Sequence, residues 1–279
     1  MERVCITSIR PAWRHASDGQ PLAADDWAPI IELIRQAARQ GACLALLPED
    51  VFNMMACGYA ESFDGPVCRM IRQQAQTHRL FIAFPFVRDE EGQRFNTTAI
   101  FGPDGRVVGW YDKTHLTFLE QRRYGLSLGQ TLPVIDLGAF KIGVVTCADA
   151  LFPETVRCLA LDGADLILLP HQMAEPDDEF FRVMIRSRAQ DNCVPLVTAS
   201  FADQPHRRWF RNYIVDARGR ILTEGPSGVG LSIAQVTLRD PVALHDYVEP
   251  GAVHLQQIVR RYRRPELYES LTARHLAKA

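Results

Sequence analysis

Apolar residues recur along the chain in two alternating patterns, one at helical spacing and one in short continuous runs. The first helical pattern covers residues 30–38, and Gly41 follows where a left-handed C-terminal cap would lie. Residues 43–47 then form an apolar run that ends at a proline, which is typical of a strand buried on both faces. The same pair of patterns returns over residues 67–75 and 80–86. This alternation predicts βαβ units.

Turn signals in the middle and later parts of the chain predict hairpins. Gly102-Pro103-Asp104-Gly105 separates two apolar segments, and Arg218-Gly219 separates two more. Further strands are predicted over residues 141–146, 165–169, 195–200 and 232–238, and helices over 152–163 and 178–192. Mixing βαβ units with hairpins favours an α/β fold in which two partly antiparallel sheets pack face to face under helices.

Composition narrows the class of protein. The chain has 279 residues, of which 47% are apolar and 23% charged, so it can build a sizeable core as a single domain over residues 1–279. The formal net charge of -2 provides no broad field for nucleic acid or an anionic membrane. No segment has the apolar length of a membrane span, which favours a cytoplasmic protein. Residues 253–279 carry few apolar positions and are expected to form an arm.

Neither the cysteines nor the histidines show the spacing of a metal or cofactor site. The seven cysteines include no C-x-x-C pair, so we expect reduced thiols, most of them in the core. The histidines lack zinc-ligand spacing, and His115 is expected to be a structural hydrogen-bond partner. We therefore predict neither a metal nor a cofactor.

Three reactive residues occupy equivalent places in the predicted elements. Glu49, Lys113 and Cys147 each follow the carboxyl end of a predicted strand. Ligands of open α/β sheets bind at that edge, so these three side chains are expected to converge on one pocket. By residue type alone the alternative is a core thiol, a helix-start acid and a solvated strand end.

A thiol, a carboxylate and an ammonium together suit the cleavage of an amide or nitrile. Cys147 at a strand-to-helix turn faces backbone N–H groups that favour its thiolate, and its attack on carbon gives a thioester. Glu49 can serve as the base in both half-reactions. Lys113 can stabilise the developing oxyanion, with the backbone N–H of Ala148 as a second donor.

Three segments of the chain resemble, in order, the three motifs of the nitrilase superfamily of carbon–nitrogen hydrolases: LLPED at 46–50, YDKTHL at 111–116 and GVVTCADALFPE at 143–154. Further resemblances cover the central hairpin, the R-x-R-A-x-x-N helix at 186–192 and the C-terminal arm at RRPELY. The resemblance implies a four-layer αββα sandwich with two mixed β-sheets that pairs into a homodimer or a higher homo-oligomer, with residues 253–279 at a subunit interface. It also implies the roles given above for the three reactive residues, and it assigns Glu120 to orienting Lys113 or the substrate.

The chain departs from the family pattern next to the nucleophile. Ala148 stands where an aromatic residue is usual, and Leu151 where Arg or Trp is common, which predicts an altered and wider pocket wall. With an aspartate at position 149, the motif resembles those of the amidase and carbamoylase branches more than those of true nitrilases. Tyr59, Tyr124, His171 and Gln172 lie near motif ends and are candidate substrate contacts.

These observations predict an amidase-type hydrolase that releases ammonia or an amine from a small amide or N-carbamoyl compound. A true nitrilase is the near alternative, and transfer of the acyl group to an amine is another. A binding protein that has lost turnover is the non-catalytic alternative, for which Ala148 and Leu151 are the hints. The sequence does not name the substrate.

Overall fold

A computed structural model describes residues 3–13, 24–174, 178–204, 207–240 and 255–272. The strands in these ranges are β1 Arg3–Arg10, β2 Leu44–Leu46, β3 Phe81–Glu90, β4 Gln93–Phe101, β5 Val107–Asp112, β6 Val134–Asp136, β7 Lys141–Val144, β8 Leu166–Pro170, β9 Leu196–Ala199, β10 Tyr213–Val215, β11 Ile221–Glu224 and β12 Gly230–Thr237. The helices are α1 Ala24–Arg39, α2 Met54–Cys57, α3 Pro66–His78, α4 Pro153–Leu161, α5 Asp178–Asn192, α6 Leu255–Arg261 and α7 Glu269–Thr272. A π-helical turn covers Leu119–Arg123, and 3₁₀ turns cover Cys147–Leu151 and Pro265–Leu267.

The strands form two six-stranded sheets of similar design. The first has the order β12-β1-β2-β3-β4-β5, and the second has the order β11-β10-β9-β8-β7-β6. In each sheet three neighbouring strands are parallel, and the flanking strands pair antiparallel to them. The prediction of two mixed sheets is confirmed.

Alternation along the strands directs side chains into separate hydrophobic layers. Leu44 and Leu46 of β2 lie in a cluster that also contains Leu166 and Leu168 of β8, which joins the two sheets. Ala45, between the two leucines, lies instead in a cluster with α1 and α3. A third cluster covers the second sheet with α4 and α5. The layers are therefore helix, sheet, sheet and helix, as predicted.

Strand β1 is absent from the prediction, although it lies inside the first sheet. It pairs antiparallel with β12 and parallel with β2. Its sequence mixes polar and charged residues with apolar ones, yet Ser8 and Arg10 are both completely buried. The Ser8 hydroxyl donates to the Thr198 carbonyl at 2.5 Å, and Arg10 Nη1 donates to the Phe210 carbonyl at 2.8 Å. Because these partners lie far along the chain, the local pattern did not indicate a buried strand.

The C-terminal region forms a compact unit of its own. The chain divides into residues 1–239 and 240–279, and the described part of the second unit consists of α6, α7 and the 3₁₀ turn between them. Residues 241–254 and 273–279 lie outside the described ranges. The predicted single domain and the docking of its arm on a partner subunit stay predictions.

All seven cysteines are free of disulfide bonds, but fewer of them belong to the core than expected. Cys57, Cys68 and Cys193 are buried, whereas Cys158 is exposed and the other three are half-buried. The expectation that most are core residues is therefore wrong, because several lie where elements reach the surface. No helix within the described ranges is long and apolar enough to cross a membrane. The cytoplasmic location stays a prediction.

A buried carboxylate fastens the 3₁₀ turn after β7 to the loop after β5. Asp149 accepts hydrogen bonds from the Tyr111 hydroxyl at 2.6 Å and from the backbone N–H groups of Thr146 at 2.8 Å and His115 at 2.9 Å. The Thr114 hydroxyl lies at 3.2 Å and His115 Nδ1 at 2.9 Å from Oδ1. Asp149 is fully buried, so it fixes the two loops relative to each other.

We expect Asp149→Asn to destabilise the fold by about 2–4 kcal/mol, because an amide NH₂ would replace an acceptor that faces several donors. Urea denaturation measures the free energy of unfolding. Asp162→Asn is the control, since Asp162 is exposed at the end of α4 and is expected to change stability by less than about 0.5 kcal/mol. Equal unfolding free energies for the two variants would contradict this role of Asp149.

Candidate active site

The segment after β2 turns sharply and holds Glu49 inside the protein. Asp50 and Asn53 adopt left-handed backbone conformations, with φ of 50° and 54°. The Asp50 carboxylate accepts the N–H groups of Met54 at 2.7 Å and Met55 at 3.2 Å, which begins α2. The turn is therefore fixed on the side that follows Glu49.

Lys113 comes directly after β5 and continues its pairing. Its backbone N–H donates to the Asn96 carbonyl at 2.9 Å, and its carbonyl accepts the N–H of Gly129 at 2.9 Å. A Cβ at Gly129 would lie only 2.0 Å from the Asp112 carbonyl oxygen, so only glycine permits this approach. The backbone around Lys113 is therefore held from both sides.

Cys147 begins the 3₁₀ turn after β7 and adopts a left-handed conformation with φ of 50°. A non-glycine residue in this region is strained and is found where the surroundings enforce it. Arg188 of α5 donates to the Ala150 carbonyl at 3.1 Å and holds the end of the turn. Together with Asp149, this contact fixes the thiol at the surface of a cavity.

The Lys113 ammonium lies between two carboxylates. Its Nζ is 2.9 Å from Glu49 Oε1 and 2.9 Å from both carboxylate oxygens of Glu120. Asn96 Nδ2 donates to Glu49 Oε1 and Glu120 Oε1, each at 2.8 Å. The backbone N–H of Gln172 donates to Glu49 Oε2 at 3.0 Å. The residues Lys113, Glu49, Glu120 and Asn96 are each at least 95% buried.

Burial and charge shift the pKa values of this cluster in different directions. Burial raises the pKa of Glu49 above its ordinary value, against the attraction of Lys113. Burial also acts to raise the pKa of Glu120, but the Lys113 ammonium and the N–H donors outweigh it and leave that pKa lowered. Although burial alone lowers the pKa of Lys113, the negative groups around it raise that pKa overall. Lys113 is therefore a permanent cation at neutral pH.

The thiol of Cys147 is not activated in the way that the sequence suggested. Burial and the neighbouring Glu49 carboxylate raise its pKa well above the ordinary cysteine value, and Lys113 and the Gln172 backbone only partly offset this. The expectation of a favoured thiolate is wrong for the free protein, because the adjacent negative charge was not visible in the local sequence. The Cys147 thiol is therefore expected to be neutral at rest.

One cavity of about 370 Å³ brings the three predicted reactive residues together. Glu49, Lys113, Glu120 and Cys147 line its polar side. The remaining lining residues are Trp13, Asp50, Asn53, Met55, Ala56, Thr117, Leu119, Tyr124, Gln172 and Arg207. The side chains at the ends of β2, β5 and β7 thus meet in one pocket, although β7 belongs to the other sheet.

The candidate substrate contacts divide into two pairs. Tyr124 and Gln172 line the cavity. Tyr59 does not, because its hydroxyl donates to Glu61 at 2.8 Å and its ring packs on the core under the first sheet. His171 is completely buried, with its ring 4.6 Å from that of Phe181. Tyr59 and His171 therefore do not line this cavity, and their contact with a substrate stays a prediction.

The expected change in the pocket wall at Leu151 is also wrong. Leu151 is half-exposed and lines a separate surface depression beside α5, because the 3₁₀ turn directs it away from the cavity. Ala148 is half-buried and lies in the first turn of the 3₁₀ helix Cys147–Leu151, where backbone N–H groups lack intrahelical partners. Its role as a donor stays a prediction.

Asn96, Trp13 and Arg207 are residues of this region that the sequence did not indicate. Asn96 lies within β4, and an amide in the interior of a strand is the signal that could have marked it. Trp13 and Arg207 lie in irregular segments without a recognisable pattern. Within the described residues, no group of three or more His, Cys, Asp or Glu side chains is arranged to hold a metal ion.

Comparison with known proteins places this geometry in context. The family model Carbon-nitrogen hydrolase matches residues 16–244. The chain is 27% identical to Omega-amidase NIT2-A of Xenopus laevis, with 89% of this chain and 92% of the relative covered. It is 30% identical to "Hydrolase in pqqF 5'region" of Pseudomonas protegens, with 89% and 88% covered.

A solved structure has the same fold. It is a mutant amidase from Nesterenkonia sp. AN1 that carries the acetamide moiety of fluoroacetamide on its active-site cysteine; it is 21% identical, covers 96% of both chains and has a TM-score of 0.75. The family match spans most of the chain, including all three strand ends that meet at the cavity. The chain therefore belongs to the carbon–nitrogen hydrolase family, within the nitrilase superfamily.

Proposed function

We propose that this protein hydrolyses a small amide or N-carbamoyl compound through a thioester on Cys147. The supporting observation is the cavity in which a thiol, a paired carboxylate and a buried ammonium lie together. The family is one of carbon–nitrogen hydrolases, and relatives named omega-amidase support amide cleavage. The named active-site cysteine of the Nesterenkonia amidase supports a cysteine as the nucleophile.

In the first half-reaction Cys147 Sγ attacks the amide carbon while Glu49 takes the thiol proton. Oε1 of Glu49 already accepts two hydrogen bonds, whereas Oε2 accepts one from Gln172, so Oε2 keeps a free lone pair for the proton. A base is required because the pKa of Cys147 is raised. When the tetrahedral intermediate collapses, Glu49 passes the proton to the leaving nitrogen, and ammonia or an amine departs.

Lys113 stabilises the oxyanion of that intermediate. Two of its contacts go to the same carboxylate, Glu120, so one N–H can turn to the substrate oxygen while Glu120 keeps the other. The N–H of Ala148 provides the second donor. Water then attacks the thioester, Glu49 takes a proton from it, and the acid product leaves with Cys147 protonated again.

We expect Cys147→Ala to lower amide hydrolysis by at least roughly 10³-fold, because the covalent route is lost. Glu49→Gln is expected to lower it by roughly 10²- to 10⁴-fold through loss of the base. Ammonia release from a panel of amides, N-carbamoyl compounds and nitriles measures both. Cys158→Ala is the matched control, since that thiol is exposed. Full activity in Cys147→Ala would refute the mechanism.

The charge of Glu49 gives a second test. That carboxylate raises the pKa of Cys147 and Lys113 lowers it, so Glu49→Gln should lower the thiol pKa. We expect the pH midpoint for iodoacetamide labelling of Cys147 to fall relative to the unsubstituted protein. Peptide mass spectrometry follows Cys147, and labelling of the exposed Cys158 in the same digest is the internal control. A midpoint that stays equal or rises contradicts the assigned coupling.

We also propose that the protein forms a homodimer through its outer helices. Leu151, Phe180 and Val183 are each at least 50% exposed and line one surface depression. Phe180→Asp should therefore shift the mass measured by light scattering from dimer to monomer. Val229→Asp is the control, since Val229 is equally exposed outside this depression. A dimer that persists in Phe180→Asp argues against this interface.

A further inference from the structure

His171 is completely buried and directly precedes Gln172, which belongs to the lining of the cavity. Its ring centroid lies 4.6 Å from that of Phe181, and its backbone N–H donates to the carbonyl of Ala199, the last residue of β9, at 2.9 Å. We propose that His171 is a positioning residue that holds the backbone N–H of Gln172 against Glu49 Oε2. This inference rests on the proposed function, because it concerns the base of that reaction.

A hydrogen bond from the backbone to the His171 side chain closes the turn that carries Gln172. The backbone N–H of Met173 donates to His171 Nδ1 at 3.3 Å. Asn and Asp side chains close turns in the same way, by accepting the N–H two residues along the chain. The Met173 carbonyl accepts the N–H of Phe210 at 3.3 Å. Gln172 is therefore held between two fixed neighbours, which restricts the direction of its own N–H group.

The contacts of Gln172 connect this turn to the proposed base and nucleophile. Its backbone N–H donates to Glu49 Oε2 at 3.0 Å, and its side-chain Nε2 donates to the Glu49 carbonyl at 3.0 Å. Burial and the Glu49 carboxylate raise the pKa of Cys147, whereas Lys113 and the Gln172 N–H lower it. One backbone N–H thus acts on both reacting groups, so a small rotation of the turn disturbs the geometry of proton transfer.

The chemistry of His171 is that of a permanent acceptor. Burial, together with the Arg10 guanidinium, lowers its pKa to about 3, so the ring is neutral at neutral pH. Because Nδ1 accepts the Met173 N–H, we assign the ring proton to Nε2. Nε2 is buried and has no hydrogen-bond partner among the described residues. A phenylalanine would pack against Phe181 without this cost, so packing alone does not account for a histidine here.

Two substitutions separate the hydrogen bond from the packing. His171→Phe keeps a ring and removes the acceptor, whereas His171→Asn keeps an acceptor for the Met173 N–H and removes the ring. For the amide of the panel above that is cleaved fastest, His171→Phe should lower kcat roughly 10- to 100-fold and change KM less than about threefold, because the base is displaced. His171→Asn should keep kcat within about threefold, although the lost ring should lower its urea midpoint.

Phe181→Leu is the matched control, since its side chain packs on His171 but takes no part in the hydrogen bonds of the turn. Its urea midpoint should fall, because a buried ring is lost, and its kcat should stay within about threefold of the unsubstituted protein. An unchanged kcat in His171→Phe would overturn the proposal. Values of kcat that follow the urea midpoints across the three variants would overturn it as well.

Labelling of Cys147 by iodoacetamide tests the turn without turnover. At one fixed pH the labelling rate follows the thiolate fraction, and loss of the Gln172 N–H raises the thiol pKa. We expect the rate to fall roughly 3- to 10-fold in His171→Phe and to stay unchanged in His171→Asn. If the unsubstituted protein cleaves no amide, the proposed function fails, and the labelling rates still decide whether His171 holds the turn. If amides are cleaved and His171→Phe changes neither kcat nor the labelling rate, only the role of His171 is wrong.

Discussion

The buried Lys113 ammonium between Glu49 and Glu120 is the interaction on which the rest of the site depends. Removing these charges from water is costly, and only short contacts with complete hydrogen bonding compensate for it. The 2.9 Å contacts to both carboxylates and the Asn96 Nδ2 group that bridges them provide most of this compensation, whereas the buried Asn96 Oδ1 has no hydrogen-bond partner among the described residues. Loss of one partner would leave an uncompensated buried charge. The geometry is therefore specified far more tightly than a surface ion pair would need.

The scaffold meets this constraint by bringing backbone segments from distant strands together and locking them. Lys113 is held by β4 and by the glycine at position 129, where any side chain would collide with the backbone. Asp149 ties the loop after β5, which begins at Lys113, to the turn that carries Cys147. Arg188 holds that turn from α5. The strained φ at Cys147 is tolerated because these contacts determine the turn on both sides.

The same charges, together with burial, explain why the Cys147 thiol rests in its neutral form. Burial and the Glu49 carboxylate raise the pKa of Cys147, and Glu49 Oε2 accepts one hydrogen bond, from the Gln172 backbone. Glu49 and Glu120 give their side of the cavity a negative character that Lys113 offsets only in part.

The sequence by itself determined the main elements, because continuous apolar runs indicate buried strands and helical spacing indicates a buried helix face, as in β2 and α1. It also indicated that Glu49, Lys113 and Cys147 follow strand ends. Only the tertiary structure decided that β1 is an internal strand, that Asn96 joins the acids, and that Tyr59, His171 and Leu151 do not line the cavity. These features depend on partners far along the chain, such as Thr198 for Ser8 and Glu49 for Cys147, and no local pattern encodes such contacts.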